Sequence, residues 1–206
     1  IHIHKETLSE HFSKLMKENA FACDKLIDLN VKNKISNKDD FRHICDCNLP
    51  LIRNILIPDI PNECHYEAFY IEFRQFTHAE FLIRNAVIKL PQWAHTVICG
   101  NKNFESLSKI CNSISPHITV LKLDIDNLNT AEYSRLLLTK EFWNHFKGEK
   151  LLLYQEDSFL FHNQIEPFLE YDYIGAPWPI HQDENIDQKK YGCLLYTSDA
   201  ADDLYR

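Results

Sequence analysis

A chain of 206 residues, 45% hydrophobic and 25% charged, is long enough for one substantial domain with an additional segment and too rich in core material to be disordered throughout. Four glycines and eight prolines exclude collagen-like and linker-dominated architectures, and a formal charge of -8 argues against a nucleic-acid partner or a polybasic membrane surface, both of which need cationic faces. No run approaches the roughly 20 apolar residues of a membrane helix, and seven scattered cysteines, an odd number, fit free thiols in a reducing, cytoplasmic setting better than a disulfide framework.

Residues 1–63 read as a peripheral helical and loop segment, or as the end of a preceding domain. Leu8, Phe12, Leu15 and Met16, then Phe21, Leu26 and Leu29, recur at helical spacing. KNKISNKDD reads as a loop in which Asp39 or Asp40 caps a following turn, and Pro50, Pro58 and Pro61 punctuate what comes next. The main domain is expected over residues 64–192, and it begins a regular alternation. Glu67–Arg74 is short, aromatic and β-branched, hence a strand; His78–Leu90 carries an apolar face on a 3.6-residue period and stops before Pro91, hence a helix. His95–Gly100 is a second strand, Asn103 caps a second helix, and His117–Leu123 is a third strand. Thr130–Phe146 reads as one longer amphipathic helix, and Lys150–Ser158 is an apolar run that ends abruptly in acid. Strand, helix, strand, helix, strand, helix, strand predicts an α/β fold with a mostly parallel, Rossmann-like sheet and helices on both faces.

Such a sheet binds ligands beyond the carboxyl ends of its strands. Glu72 and Arg74 end the first strand, Gly100 and Asn101 the second, Asp124 and Asp126 follow the third, and Gln155, Glu156 and Asp157 end the fourth. Carboxylates delivered to that edge by a buried strand suit a divalent cation on a diphosphate, because hard oxygen ligands match Mg²⁺ or Mn²⁺. A solvated turn capped by Asp157 or Ser158 is the alternative reading. There is no Gly-x-Gly-x-x-Gly, no Walker loop and no Gly-x-Ser-x-Gly elbow, which disfavours dehydrogenase, P-loop and hydrolase chemistry. Cys45, Cys47, Cys64 and His65 lack the usual paired zinc spacing. In EYDYIGAPWP, Gly175, Pro177 and Pro179 constrain the backbone, while Tyr171, Tyr173 and Trp178 offer flat faces for a sugar or base; a loop closing over the sheet explains the same composition.

The strings IEFRQFTHAEFLIRNAVIKLPQWAHTVICGNKNF, EYSRLLLTKEFWNHFKGEKLLLYQEDSFLF and IEPFLEYDYIGAPWP, in that order between about Tyr66 and Gly192, resemble a glycosyltransferase-like domain of unknown function common in giant viruses. The resemblance implies a GT-A-like fold, incomplete at its C-terminus, and a nucleotide-sugar donor transferred to a glycan or protein hydroxyl. It implies a DxD-like register at Gln155 and Asp157, with glutamine in place of the first aspartate. Asp157, helped by Glu156, then becomes the expected Mn²⁺ or Mg²⁺ ligand. Glu72, Arg74, Gly100 and Asn101 are expected to line the nucleotide pocket, and Asp172, Tyr173, Gly175 and Trp178 to border the donor sugar or acceptor. The resemblance supplies no catalytic base, and a non-catalytic nucleotide- or sugar-binding module on the same fold is the alternative. Residues 193–206, CLLYTSDAADDLYR, resemble a translated transposase mosaic-end sequencing adapter and are set apart as a non-native tail, with the natural domain expected to continue past Gly192.

Overall fold

The computed structural model describes residues 19–32 and 37–174. Its centre is a four-stranded, wholly parallel sheet in the order β3-β2-β1-β4, formed by β1 (Tyr66–Ile71), β2 (Ala94–Cys99), β3 (Thr119–Lys122) and β4 (Lys150–Tyr154). β1 and β2 are covered on both faces, which is why they read as nearly continuous apolar runs instead of alternating ones. The α/β fold expected from the sequence is the fold observed.

Five α-helices follow in chain order after a first, α1, of which residues 19–32 are described: α2 (Lys38–Arg53), α3 (Ala79–Lys89), α4 (Phe104–Ile114), α5 (Thr130–Leu137) and α6 (Lys140–Trp143). α3 and α4 join strands that step in the same direction, so right-handed crossovers lay both on one face of the sheet, where they touch. α2 packs beside α3. The chain divides into two units, one holding the sheet with residues 1–127 and 147–163, the other residues 128–146 and 164–206.

In the sheet unit α3 is buried on nearly every side, its polar positions included. Glu80 is gripped by Arg53 from α2 and Arg84 one turn away, and Lys89 reaches Asp24 and Asp28 of α1. Asn85 holds the backbone of Leu160 through both its amide oxygen and its amide nitrogen. The N-terminal helices therefore cover the side of α3 that amphipathic reasoning assigns to water. In α1 the buried positions are Ile27 and Val31, whereas Phe21, Leu26 and Leu29 of the expected apolar spacing are exposed.

Four local expectations are corrected. Asn37, rather than Asp39 or Asp40, caps α2, its side-chain oxygen accepting from the N–H groups of both aspartates. α2 runs through Pro50 to Arg53, because the buried residues Asn48 and Ile52 and the Arg53–Glu80 pair hold its last turn. β1 stops at Ile71, three residues short of Arg74, since the Glu72 carboxylate turns the backbone by accepting from the N–H groups of Phe73 and Arg74. The expected helix Thr130–Phe146 is two. Asn129 and Glu132 form a capping box on α5, and Thr139 breaks the chain and caps α6. In this second unit Phe142, Trp143 and Phe146 form an aromatic cluster and the Trp143 indole donates to the Leu137 carbonyl. The expectations for residues 1–18 and 193–206 lie outside the described residues.

At the amino edge of the sheet the buried Glu67 carboxylate accepts from Thr96 Oγ1 and from the backbone N–H groups of Lys147 and Gly148. A Cβ on Gly148 would meet Glu67 Cβ at 2.6 Å, so only glycine allows this approach. His95, buried in β2, has its pKa pushed down to about 4 by desolvation. The unfolded chain therefore takes up a proton near pH 6.5 that the folded chain refuses until about pH 4, and stability falls as pH drops through that window. Each pH unit there removes up to about 1.4 kcal/mol. Urea titrations of the wild type and His95→Leu between pH 7 and 5 should show the wild type losing about 2 kcal/mol more than the variant.

Candidate functional site

The sequence expectations for Glu72, Arg74, Gln155, Glu156 and Asp157 converge on one place. The chain leaves β1 toward β2 and β3, then returns to β4 on the opposite side of β1, so the crevice between the carboxyl ends of β1 and β4 is the topological switch point of the sheet. Open α/β sheets bind ligands there. The register pairs Tyr70 with Tyr154, which brings Glu72 and Glu156, two residues on, to the same level.

On the β1 side, buried Glu72 holds Arg74 through Nε and Nη2 at 2.8 and 2.9 Å, and this pairing keeps the guanidinium protonated. Asn103 does not cap α4 with its side chain, contrary to expectation. Its amide donates to the carbonyls of Glu72 and Arg74 at 2.7 and 2.9 Å, and its oxygen accepts from Gly100 N–H. One buried asparagine thus ties the ends of β1 and β2 together. Gly100 serves this junction, where a Cβ would lie 2.2 Å from the Ile125 carbonyl oxygen. Asn101 belongs to the β3 side, donating to the Asp124 and Asp126 carboxylates at 3.0 and 3.1 Å. The Asp-x-Asp spacing of that exposed pair was visible in the sequence and signals its convergence.

On the β4 side, residues 155–158 close on themselves: Gln155 N–H donates to Ser158 Oγ and Ser158 N–H to the Gln155 carbonyl. Glu156 is buried, and Arg42 of α2 meets both its oxygens at 3.0 and 3.1 Å. His78 Nε2 lies 2.8 Å from the Glu156 carbonyl. Asp157, on the surface, accepts from Lys38 Nζ at 2.7 Å, and the same ammonium stands 3.6 Å from Glu156 Oε1. Arg42 and Arg74 both lie over the ring of Phe76, at 5.0 and 4.8 Å from its centroid. Beneath them the Tyr70 hydroxyl is buried with no hydrogen-bond partner among the described residues, and its pKa is raised by desolvation first and then by Glu72 and Glu156.

Sequence reasoning missed Lys38 and Arg42. They lie more than a hundred positions from the carboxylates they neutralise, and no local pattern marks them. Their presence bears on the expected divalent metal. Asp157 and Glu156, the expected ligands, already face cations, Asp157 facing Lys38 and Glu156 facing Arg42 and Lys38, and among the described residues no group of three or more His, Cys, Asp or Glu side chains is placed to hold a metal. As they stand they do not fit one. Asp172 and Tyr173 are exposed in the second unit, and Gly175 and Trp178 lie outside the described residues. Each described cysteine is a free thiol, and Cys64 Sγ is engaged by the Gln92 carbonyl. No described helix is long and apolar enough to cross a membrane.

The model of a family of proteins of unknown function, DUF5672, matches residues 117–194. That stretch takes in Asp124, Asp126, β4, the 155–158 turn and Asp172, and it leaves out α2, β1 and β2. No curated protein and no solved structure matches the chain.

Removing the Asn103 side chain would orphan the buried Glu72 carbonyl and Gly100 N–H and the partly buried Arg74 carbonyl, at about 1–3 kcal/mol for each group that water does not reach. Asn103→Ala should therefore lower unfolding free energy in urea by at least about 2 kcal/mol, whereas Asn101→Ala, at an exposed amide, should cost less than about 0.5 kcal/mol.

Proposed function

We propose that this chain is the nucleotide-binding part of a glycosyltransferase, which moves a sugar from a nucleotide-sugar donor to a hydroxyl of a glycan or protein. The observation that carries the reading is the clustering of Glu72, Arg74, Glu156 and Asp157 at the β1/β4 switch point, the place where open α/β sheets take nucleotides. Half-exposed Arg74, aimed by Glu72 and Phe76, is a fixed guanidinium suited to a phosphate. The resemblance of the LLLYQEDSFLF and EYDYIGAPW segments to glycosyltransferase-like sequences supports the same reading. No step is routed through a metal, because the two carboxylates expected to hold one are matched by Lys38 and Arg42.

One observation favours the alternative of a non-catalytic nucleotide- or sugar-binding module. Glu72, Glu156 and Asp157 all carry a cation partner, so none stands ready at this crevice as the general base that inverting transfer needs. Calorimetric titration with a panel of UDP- and GDP-sugars, followed by an assay for release of the nucleoside diphosphate, separates the readings. The proposal expects one donor to bind, Arg74→Gln to weaken it by about tenfold or more, and the diphosphate to be released when acceptor is present. Binding without release would leave the binding module, and failure of every donor to bind would end both.

A further inference from the structure

The acidic turn after β4 was expected to hold a metal, and the structure puts an ammonium there. Lys38 Nζ lies 2.7 Å from Asp157 Oδ2 and 3.6 Å from Glu156 Oε1, touching both side chains that a divalent ion would have used. Arg42 closes the other side of Glu156 with a forked pair of bonds and is itself held by Asp39 at 3.2 Å. Two carboxylates thus already face two cations. An incoming Mn²⁺ would have to expel Lys38 from Asp157 and then sit against the guanidinium of Arg42 with its charge unmatched, which Coulomb repulsion at such distances opposes.

The same ammonium is well placed for an anion. The Lys38 side chain is 64% exposed, an ammonium has three protons to donate, and only one bond, to Asp157, is short. Its pKa is raised, chiefly by that bond, so it stays charged. Across the crevice Arg74 commits Nε and Nη2 to Glu72 and leaves Nη1 without a hydrogen-bond partner among the described residues. Phe76 lies under both Arg74 and Arg42, and Arg42 and Lys38 meet on Glu156, which links Arg74 to Lys38 through one chain of contacts. Room for a ligand exists beside Lys38. A cavity of about 500 Å³ has Asn37, Lys38 and Asp157 in its lining together with Val31 and the rings of Phe41, Phe159 and Phe161, polar groups beside apolar and aromatic walls.

We infer that Lys38 is the resident cation of this edge, taking the position between Asp157 and Glu156 that a divalent metal would otherwise hold, and that Lys38 and Arg74 together bind the diphosphate of a ligand without metal. That the diphosphate belongs to a nucleotide sugar rests on the function proposed above; the cation arrangement does not.

The test uses the full chain and three probes. With Mn²⁺ alone, followed by water-proton relaxation, the wild type should show no site tighter than about 1 mM, and Lys38→Met should create one that Asp157→Asn removes. With inorganic pyrophosphate in EDTA, calorimetry should show binding that Mn²⁺ does not strengthen and that Lys38→Met and Arg74→Gln each weaken by about tenfold or more. Lys38 is exposed, so its variant should melt with the wild type, and Lys38→Arg should restore pyrophosphate binding. Tight Mn²⁺ binding by the wild type that Asp157→Asn abolishes, no gain of Mn²⁺ affinity in Lys38→Met, or pyrophosphate binding that is absent, metal-dependent or unchanged from the wild type in either variant would each overturn the inference. UDP and GDP binding no more tightly than pyrophosphate, with the other results as expected, would instead sink the nucleotide-sugar reading and leave the cation site standing.

Discussion

A carboxylate buried at the end of β4 is the constraint on which the rest of this edge depends. An ionised Glu156 cut off from water would cost several kcal/mol unless a partner of opposite charge met it with good geometry. Arg42 is that partner, and Arg42 is on α2. The need to hold α2 in place then runs outward: Arg53 of the same helix grips Glu80 of α3, Asp46 accepts from Thr77, and Lys89 at the far end of α3 draws in Asp24 and Asp28. Much of the polar architecture around the sheet can be read as what it takes to keep one guanidinium opposite one carboxylate.

The same economy recurs at both ends of β1. Glu67 at the amino edge and Glu72 at the carboxyl edge are buried, and each binds backbone N–H groups as well as a side chain. Isolated buried charges would be liabilities; satisfied ones fix geometry. Glu67 sets where the chain enters β4, Glu72 sets where it leaves β1, and Asn103 locks the second exit to the first. The β1/β4 crevice therefore has walls whose backbone is determined by hydrogen bonds as well as by packing.

How much of this was legible depended on the range of the forces involved. The order of strands and helices from Tyr66 to Tyr154 followed from periodicity and flanking turn residues, which are local. So did the arrival of Glu72, Arg74, Glu156 and Asp157 at one edge, because strand polarity alone dictates it. What stayed hidden was set by tertiary contact. Thr130–Phe146 keeps a helical period across Thr139, and only the cap at Thr139 shows that it is two helices. Asn103 stands where a cap is expected, yet its amide finds better partners on the neighbouring strand. The cations that change the chemistry of the acidic turn sit on α2 beside its buried Phe41, Ile44 and Cys45, and nothing in that local pattern says which distant carboxylates they meet.

The position of α2 in the chain carries a consequence for how the molecule can be taken apart. A cut anywhere between Arg53 and Tyr66 falls in chain outside any helix or strand, and by sequence it looks like a natural place to isolate the sheet. Such a piece would keep every described strand and lose the countercharges of Glu156, Asp157 and part of Glu80 together. A fragment that keeps these charge pairs and the buried face of α2 therefore has to begin before Lys38, well ahead of where the first strand starts.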